Sequence, residues 1–289
     1  MPQLIRRPMT GLALGGGGAR GLAHIGILKT LKSAGVPIDY LVGSSMGGLI
    51  AALCAAGIPI EEMEAEALNM SKASQMVRLL DLAPPRRGLV KGERLRAYLT
   101  KLFGKDHLME NLPISLALVA VNLQTAKEVI LSNGSLIEAV MATMAVPGIF
   151  APVEINKQCL VDGGVLNNVP ADVARQQGAE CIIAVDVNPI ATEETGGEIP
   201  DPRPGLTNLL PPLFRDVYQA EMIMVQALTQ VRLKKAHPEV LIEPQIPGHI
   251  DIFLGFAHAE EIIAAGEKAA GEAIPKIQET LRPGLRWPR

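Results

Sequence analysis

Aromatic side chains are scarce in this 289-residue chain, which has five Phe, three Tyr and one Trp. A surface that stacks nucleic-acid bases is therefore not expected, and a net charge of -3 supplies no basic field to hold phosphates. Cysteine is nearly as sparse. Cys54, Cys159 and Cys181 each sit in an apolar run (ALCAAG, QCLVDG, ECIIAV), and none has CxxC spacing. They read as reduced core thiols of a cytosolic protein, not as disulfides or zinc ligands. The histidines and acids fall in no recognised ligand spacing, so no metal, no cofactor and no calcium dependence are expected, and EDTA should leave any activity intact. The opening residues, MPQLIRRPMTG, lack an apolar stretch before Pro8, which argues against a cleaved secretory leader. Residues 41–60 carry no charge over about the length of a membrane span. However, Gly43, Ser44, Ser45, Gly47, Gly48, Gly57 and Pro59 interrupt the run, so it reads as a strand, a tight turn and a buried helix.

Apolar residues make up 48% of the chain, enough for a sizeable core. Their periodicity sets out strands and helices in alternation. A strand over 11–14 precedes a helix over 22–33, on which Leu22, Ile25, Leu28 and Leu31 share a face. A second strand over 39–42 precedes a helix from about Met46. This βαβα order favours a parallel sheet with helices on its faces. Residues 60–104 read as a helical cover, including an amphipathic helix over 93–103 after the PPRRG loop signal. Strands follow over 115–122 and 127–132, then a helix capped by Ser135 with Glu138 three residues on. A hairpin is expected around Asn156 and Lys157. A helix over 170–177, a β-branched strand over 181–187, a helix over 213–235, a strand over 240–242 and a final helix over 257–281 complete the pattern, with Pro275 as a candidate kink. Residues 188–212 are rich in proline and read as a long mobile loop. The whole is expected to form one domain over 8–289.

The 28 glycines are not spread evenly. Three clusters directly follow expected strands: GGGGARG (15–21), GSSMGG (43–48) and DGG (162–164). The second matches G-x-S-x-G with Ser45 at its centre. A strand-to-helix turn this tight strains the central residue, and Gly43 and Gly47 leave room for the crossing chain. The serine hydroxyl is thereby raised at the positive end of the next helix, as a nucleophile requires. In the first cluster, Gly16, Gly17 and Gly18 can converge their N–H groups on a developing oxyanion. Arg20 would add positive charge there or brace the loop. The same residues fit the dinucleotide fingerprint G-x-G-x-x-G, with Asp39 near the acidic position, although Asp39 begins its strand where the fingerprint acid should end it. Asp162 closes a strand and is a candidate base, or simply a turn aspartate.

GGGGARG, GSSMG and DGG in this order resemble the patatin-like phospholipase family, in particular short bacterial members similar to neuropathy target esterase. The motifs extend from about Gly11 to Pro170, and LGFAHAEEIIAAGEKAA is similar to the family's C-terminal helix. The resemblance implies a three-layer α/β fold with a mainly parallel central sheet and helices on both faces. It implies a Ser45–Asp162 dyad, an oxyanion hole from Gly16, Gly17, Gly18 and Arg20, and a phospholipid or lysophospholipid ester as substrate. It also implies a cytoplasmic enzyme in transient contact with membrane surfaces. Three rival readings stay open. One is a Ser-His-Asp hydrolase drawing on His237, His249 or His258; His24 reads as a packing residue. The others are a dinucleotide-binding protein and a non-enzymatic lipid-binding module. The stretch Met141 to Val153 could line an acyl pocket or belong to the core.

Overall fold

The computed structural model describes residues 6–71, 81, 90–104, 107–188, 212–250, 252 and 255–283. The expected mobile loop lies almost wholly outside these residues, as does the PPRRG segment. Strand β1 (Thr10–Leu14) leads through the glycine loop and a short 3-10 helix (Gly18–Leu22) into α1 (Ala23–Ser33). Strand β2 (Tyr40–Gly43) leads into α2 (Ser45–Ala55), so the uncharged 41–60 run is broken at Ser44. Helices α3 (Ile60–Met70) and α4 (Glu93–Phe103) follow. Then come β3 (Ser115–Asn122), β4 (Lys127–Leu131), α5 (Leu136–Thr143) and the hairpin β5 (Val153–Ile155) with β6 (Gln158–Asp162). The chain continues through α6 (Ala171–Gln176), β7 (Cys181–Val185), α7 (Pro212–Ala236), β8 (Val240–Ile242) and α8 (Ala259–Leu281).

Local chemistry explains several boundaries. Ser135 caps α5 by accepting from the Glu138 N–H at 3.4 Å. Asn156 and Lys157 both take positive φ at the hairpin tip, as a tight two-residue turn demands. Pro275 is accommodated inside α8. Among the described residues no helix is long and apolar enough to cross a membrane.

The sheet order is β5-β6-β3-β2-β1-β7-β8, with β4 added to β3. Pairs β3/β2, β2/β1, β1/β7 and β7/β8 are parallel; β4, β6 and β5 join antiparallel. Alternation along the central strands divides the core into two layers. Leu12, Leu14, Leu116, Leu118, Ile183 and Val185 meet α1, α2, α5 and α8 on one face. Ala13, Ala117, Val119, Ile182 and Ala184 meet Val173 of α6 and Leu233 of α7 on the other. The result is the three-layer α/β arrangement that the alternating pattern called for.

One feature of the pairing positions the site. Leu118 of β3 pairs with Gly43 on one edge and with Leu131 of β4 on the other. Two residues on, Ala120 pairs with Asp162 and with Val129 of β4. Since β4 occupies one edge throughout, β2 and β6 share the opposite edge. Strand β2 runs parallel to β3 and β6 runs antiparallel, so their C-terminal ends meet head to head beside Val119.

Candidate active site

Ser45 is the first residue of α2 and has φ 53, a left-handed backbone angle that non-glycine residues rarely adopt. Its neighbours explain how that angle is held. A Cβ on Gly47 would lie 2.3 Å from the Leu14 carbonyl oxygen, and one on Gly43 would lie 2.6 Å from that of Gly47. Only glycine at both positions lets β2 turn into α2 across the end of β1. The Ser45 N–H donates to Thr143 Oγ1 at 3.0 Å, and Thr143 Oγ1 donates to the Val119 carbonyl at 2.6 Å. This buried threonine therefore ties the serine turn to the point on β3 where the two strand ends meet.

Asp162 caps a 3-10 turn, its Oδ1 accepting from the Gly164 N–H at 2.7 Å. Its Oδ2 is buried and accepts no hydrogen bond. Burial pushes the carboxyl pKa up to about 7, opposed by the Ser45 hydroxyl and the Gly164 N–H and reinforced by the charge of Glu221. The serine hydroxyl is near enough to favour the carboxylate without completing an aligned hydrogen bond to it. Catalytic hydrogen bonds are commonly this loose before substrate binds.

The glycine loop borders the same cleft. Gly16, Gly17, Gly18, Ser45, Asp162, Gly164 and Asn168 lie on one side; Val146, Pro147, Ile252 and Glu221, Met222 and Val225 of α7 complete the lining. Within the loop the donors are divided. The Gly15 N–H is held by the Val185 carbonyl, and the Gly16 N–H by that of Asn168. The Gly17 and Gly18 N–H groups make no hydrogen bond to the described residues, and both glycines border the cleft. Gly18 has φ +54, and a Cβ there would lie 2.2 Å from the Ile252 carbonyl oxygen.

Two of the side chains that brace this loop, Asn168 and Asn188, carry no signal in the sequence. Asn168 and Asn188 both donate to the Gly16 carbonyl, at 3.1 and 2.7 Å. His24 is fully buried with Nε2 2.7 Å from the Gly15 carbonyl oxygen. Burial lowers its pKa to about 4, so the ring is neutral and Nε2 carries the donated proton. Arg20, one of the proposed oxyanion residues, donates to the Ile246 carbonyl at 3.2 Å and feels the charge of Asp186. That hydrogen bond is a bracing contact. Thr143 and Glu221 were likewise unannounced; a lone Thr or Glu on a helix gives no motif to find.

Other expectations resolve in the same geometry. Asp39 is engaged by Arg7 at 2.5 and 2.7 Å and by the Thr10 N–H, at the end of β2 remote from the glycine loop. No histidine lines the cleft among the described residues. From the 141–153 stretch, Val146 and Pro147 reach the cleft, whereas Met141, Ala142 and Ala145 are buried in the core. Helices α3 and α4 contribute nothing to the lining. Cys54 and Cys159 are half-buried, Cys181 is buried, and none of the three forms a disulfide. His249, His258 and Glu261, which share no recognised ligand spacing in sequence, come together at the surface.

Thr143→Val tests the tie between the serine turn and β3. It keeps the shape but strands a buried N–H and a buried carbonyl, a cost of about 1–3 kcal/mol. Urea unfolding of the variant is expected to show that loss together with slower hydrolysis; unchanged stability would remove the role given to Thr143.

Comparison with known proteins gives one family: the model described as patatin-like phospholipase matches residues 12–175. A patatin-like phospholipase domain-containing protein of Caenorhabditis elegans is 33% identical over 95% of this chain and 21% of its own length. An uncharacterised NTE family protein of Mycobacterium tuberculosis is 32% identical over 94% of this chain and 47% of its own. The chain thus spans less than half the length of these curated relatives. Among solved structures, ExoU of Pseudomonas aeruginosa in complex with SpcU aligns at TM-score 0.48 and 14% identity, covering 96% of this chain and 53% of that one. VipD of Legionella pneumophila aligns at TM-score 0.47 and 12% identity, covering 93% of this chain and 67% of that one.

Proposed function

The chain belongs to the patatin-like phospholipase family, and from that premise we propose that it hydrolyses carboxylic esters of phospholipids or lysophospholipids through a Ser45–Asp162 dyad. The observation that carries this reading is the meeting of β2 and β6 on one edge of β3. There a strained serine and a buried carboxylate come together, next to two glycine N–H groups, and among the described residues one carboxylate oxygen and both N–H groups have no hydrogen-bond partner.

In the proposed cycle Asp162 takes the Ser45 proton as Oγ attacks the ester carbonyl. The Gly17 and Gly18 N–H groups receive the oxyanion; each such donor contributes about 2.7–4 kcal/mol to the transition state in comparable sites. The leaving alcohol takes the proton from Asp162. Asp162 then activates a water that cleaves the acyl-Ser45 ester. An ordinary carboxylate is a weak base, and a pKa near 7 brings this one close to the range of an imidazole. The triad alternative is disfavoured by the histidine-free cleft, and dinucleotide binding by the engagement of Asp39 with Arg7 and Thr10. The apolar side chains Val146, Met222, Val225 and Ile252 suit an acyl chain. A single catalytic domain over 8–289, a cytoplasmic setting and transient membrane contact complete the proposal.

The test is a lipidomic comparison of cell extracts incubated with wild-type protein or with Ser45→Ala, alongside labelling by a fluorophosphonate probe. Wild type is expected to deplete one ester class and to be labelled; the variant should do neither. Labelling and hydrolysis should survive replacement of His237, His249 and His258. Loss with any of these would restore the triad, and absence of labelling in wild type would leave only a lipid-binding module.

A further inference from the structure

The surface cluster of His249, His258 and Glu261 lies outside the cleft and has no part in the reaction above. Its possible ligand atoms all lie within 4.8 Å of one another. The two imidazole rings meet edge to face at 5.4 Å between centroids, and His258 Nδ1 lies 3.5 Å from Glu261 Oε2. Two imidazoles and one carboxylate are a recurrent ligand set for zinc, with a fourth position left to water. Around a zinc ion, ligand atoms sit about 3.4 Å apart, from bonds of 2.0–2.1 Å in a tetrahedron. The three side chains are exposed, so rotamer changes can close the remaining distance.

The position of the cluster gives it a consequence. His258 and Glu261 belong to the start of α8, while His249 lies on the segment leading to Ile252. The Ile252 carbonyl accepts from the Ala19 N–H at 2.7 Å and packs against Gly18, and Ile252 itself lines the cleft. Ile250 and Gly255 fold against each other between the histidines: a Cβ on Gly255 would be 2.7 Å from Ile250 Cγ2. A metal ion held by both histidines would therefore staple the segment to α8 and fix the carbonyl that holds the glycine loop in place.

We propose that His249, His258 and Glu261 bind a divalent transition-metal ion of the zinc type, and that its occupancy steadies the glycine loop through Ile252. The binding site stands on the cluster alone; its effect on the loop rests on the dyad reading. The ion is an accessory that tightens the site, so basal hydrolysis persists in EDTA.

The experiment uses the full chain, treated with EDTA and dialysed, then titrated with zinc chloride by calorimetry and by thermal unfolding. Wild type is expected to bind one equivalent and to melt several degrees higher when the site is saturated. His249→Ala with His258→Ala should weaken that binding by more than about 100-fold, since even loss of an outer partner commonly costs 10–100-fold. Glu261→Gln should weaken it less. No binding by wild type, or binding unchanged in the double variant, overturns the site. Fluorophosphonate labelling of Ser45 is then timed with and without zinc. Faster labelling in wild type, with no zinc effect in the double variant, supports the link to the glycine loop. Zinc bound at this site with an unchanged labelling rate overturns that link. Failure of Ser45 to label under any condition instead rejects the dyad reading and leaves the binding result standing.

Discussion

Ser45→Gly is expected to abolish ester hydrolysis while leaving the protein at least as stable as the wild type. The two effects have separate origins. Removal of the hydroxyl removes the nucleophile, and in serine hydrolases that loss is on the order of 10⁴- to 10⁶-fold in turnover. The backbone effect comes from φ 53 at Ser45. A left-handed angle costs an L-residue about 1–2 kcal/mol, which glycine does not incur. Glycine also gives the unfolded chain more freedom, which offsets about 0.4–1 kcal/mol of that gain. Ser45→Ala provides the control: it removes the same hydroxyl and keeps the strain. The glycine variant should therefore withstand more urea than the alanine variant, with both inactive and both unlabelled by fluorophosphonate. Hydrolysis retained in either variant would sink the nucleophile assignment. Equal stability of the two would mean that the turn is not strained.

The alternating strands and helices were legible because each carries its own local signal. Leu22, Ile25, Leu28 and Leu31 announce the α1 face, Ser135 announces the cap of α5, and Gly43 and Gly47 announce the tight turn around Ser45. Asp162 was legible as a strand-end acid, but its meeting with Ser45 followed only from the family resemblance and not from any local signal. That meeting depends on β2 and β6 both pairing with one edge of β3, which brings together strand ends distant in the chain and leaves no periodic trace. The division of labour in the glycine loop was hidden for a similar reason. Four consecutive glycines look equivalent in sequence, and only the carbonyls of Val185 and Asn168 distinguish the engaged N–H groups of Gly15 and Gly16 from those of Gly17 and Gly18. Asn168 and Asn188 act on this loop from a distance in the chain. Asparagine is common on loops and helix ends, so sequence alone gave no reason to single them out.

Asp162→Asn is expected to be inactive, and its stability relative to wild type should change with pH in a defined direction. Asp162 has its pKa raised by burial from 3.8 to about 7. In the unfolded chain the carboxyl ionises above pH 4, whereas in the folded protein it holds its proton until about pH 7. The folded state thus binds more protons between these values, and wild-type stability falls as pH rises through that window. Below pH 4 there is no penalty. Above pH 7 it levels off at about 4 kcal/mol, the free-energy equivalent of that raised pKa. Asparagine carries no such charge, so its curve lacks this component. Its buried amide hydrogens add a cost of about 1–3 kcal/mol, but that cost does not vary with pH. The gap between variant and wild type should accordingly move in favour of the variant from pH 4 to pH 7 and then stay constant. Urea unfolding at pH 5 and pH 8 measures it, and parallel curves would rule out a perturbed Asp162. The same carboxyl must be ionised to accept the serine proton, so wild-type labelling should rise with pH through about 7. Glu221→Gln removes a negative neighbour that disfavours this ionisation, and should shift the rise to lower pH.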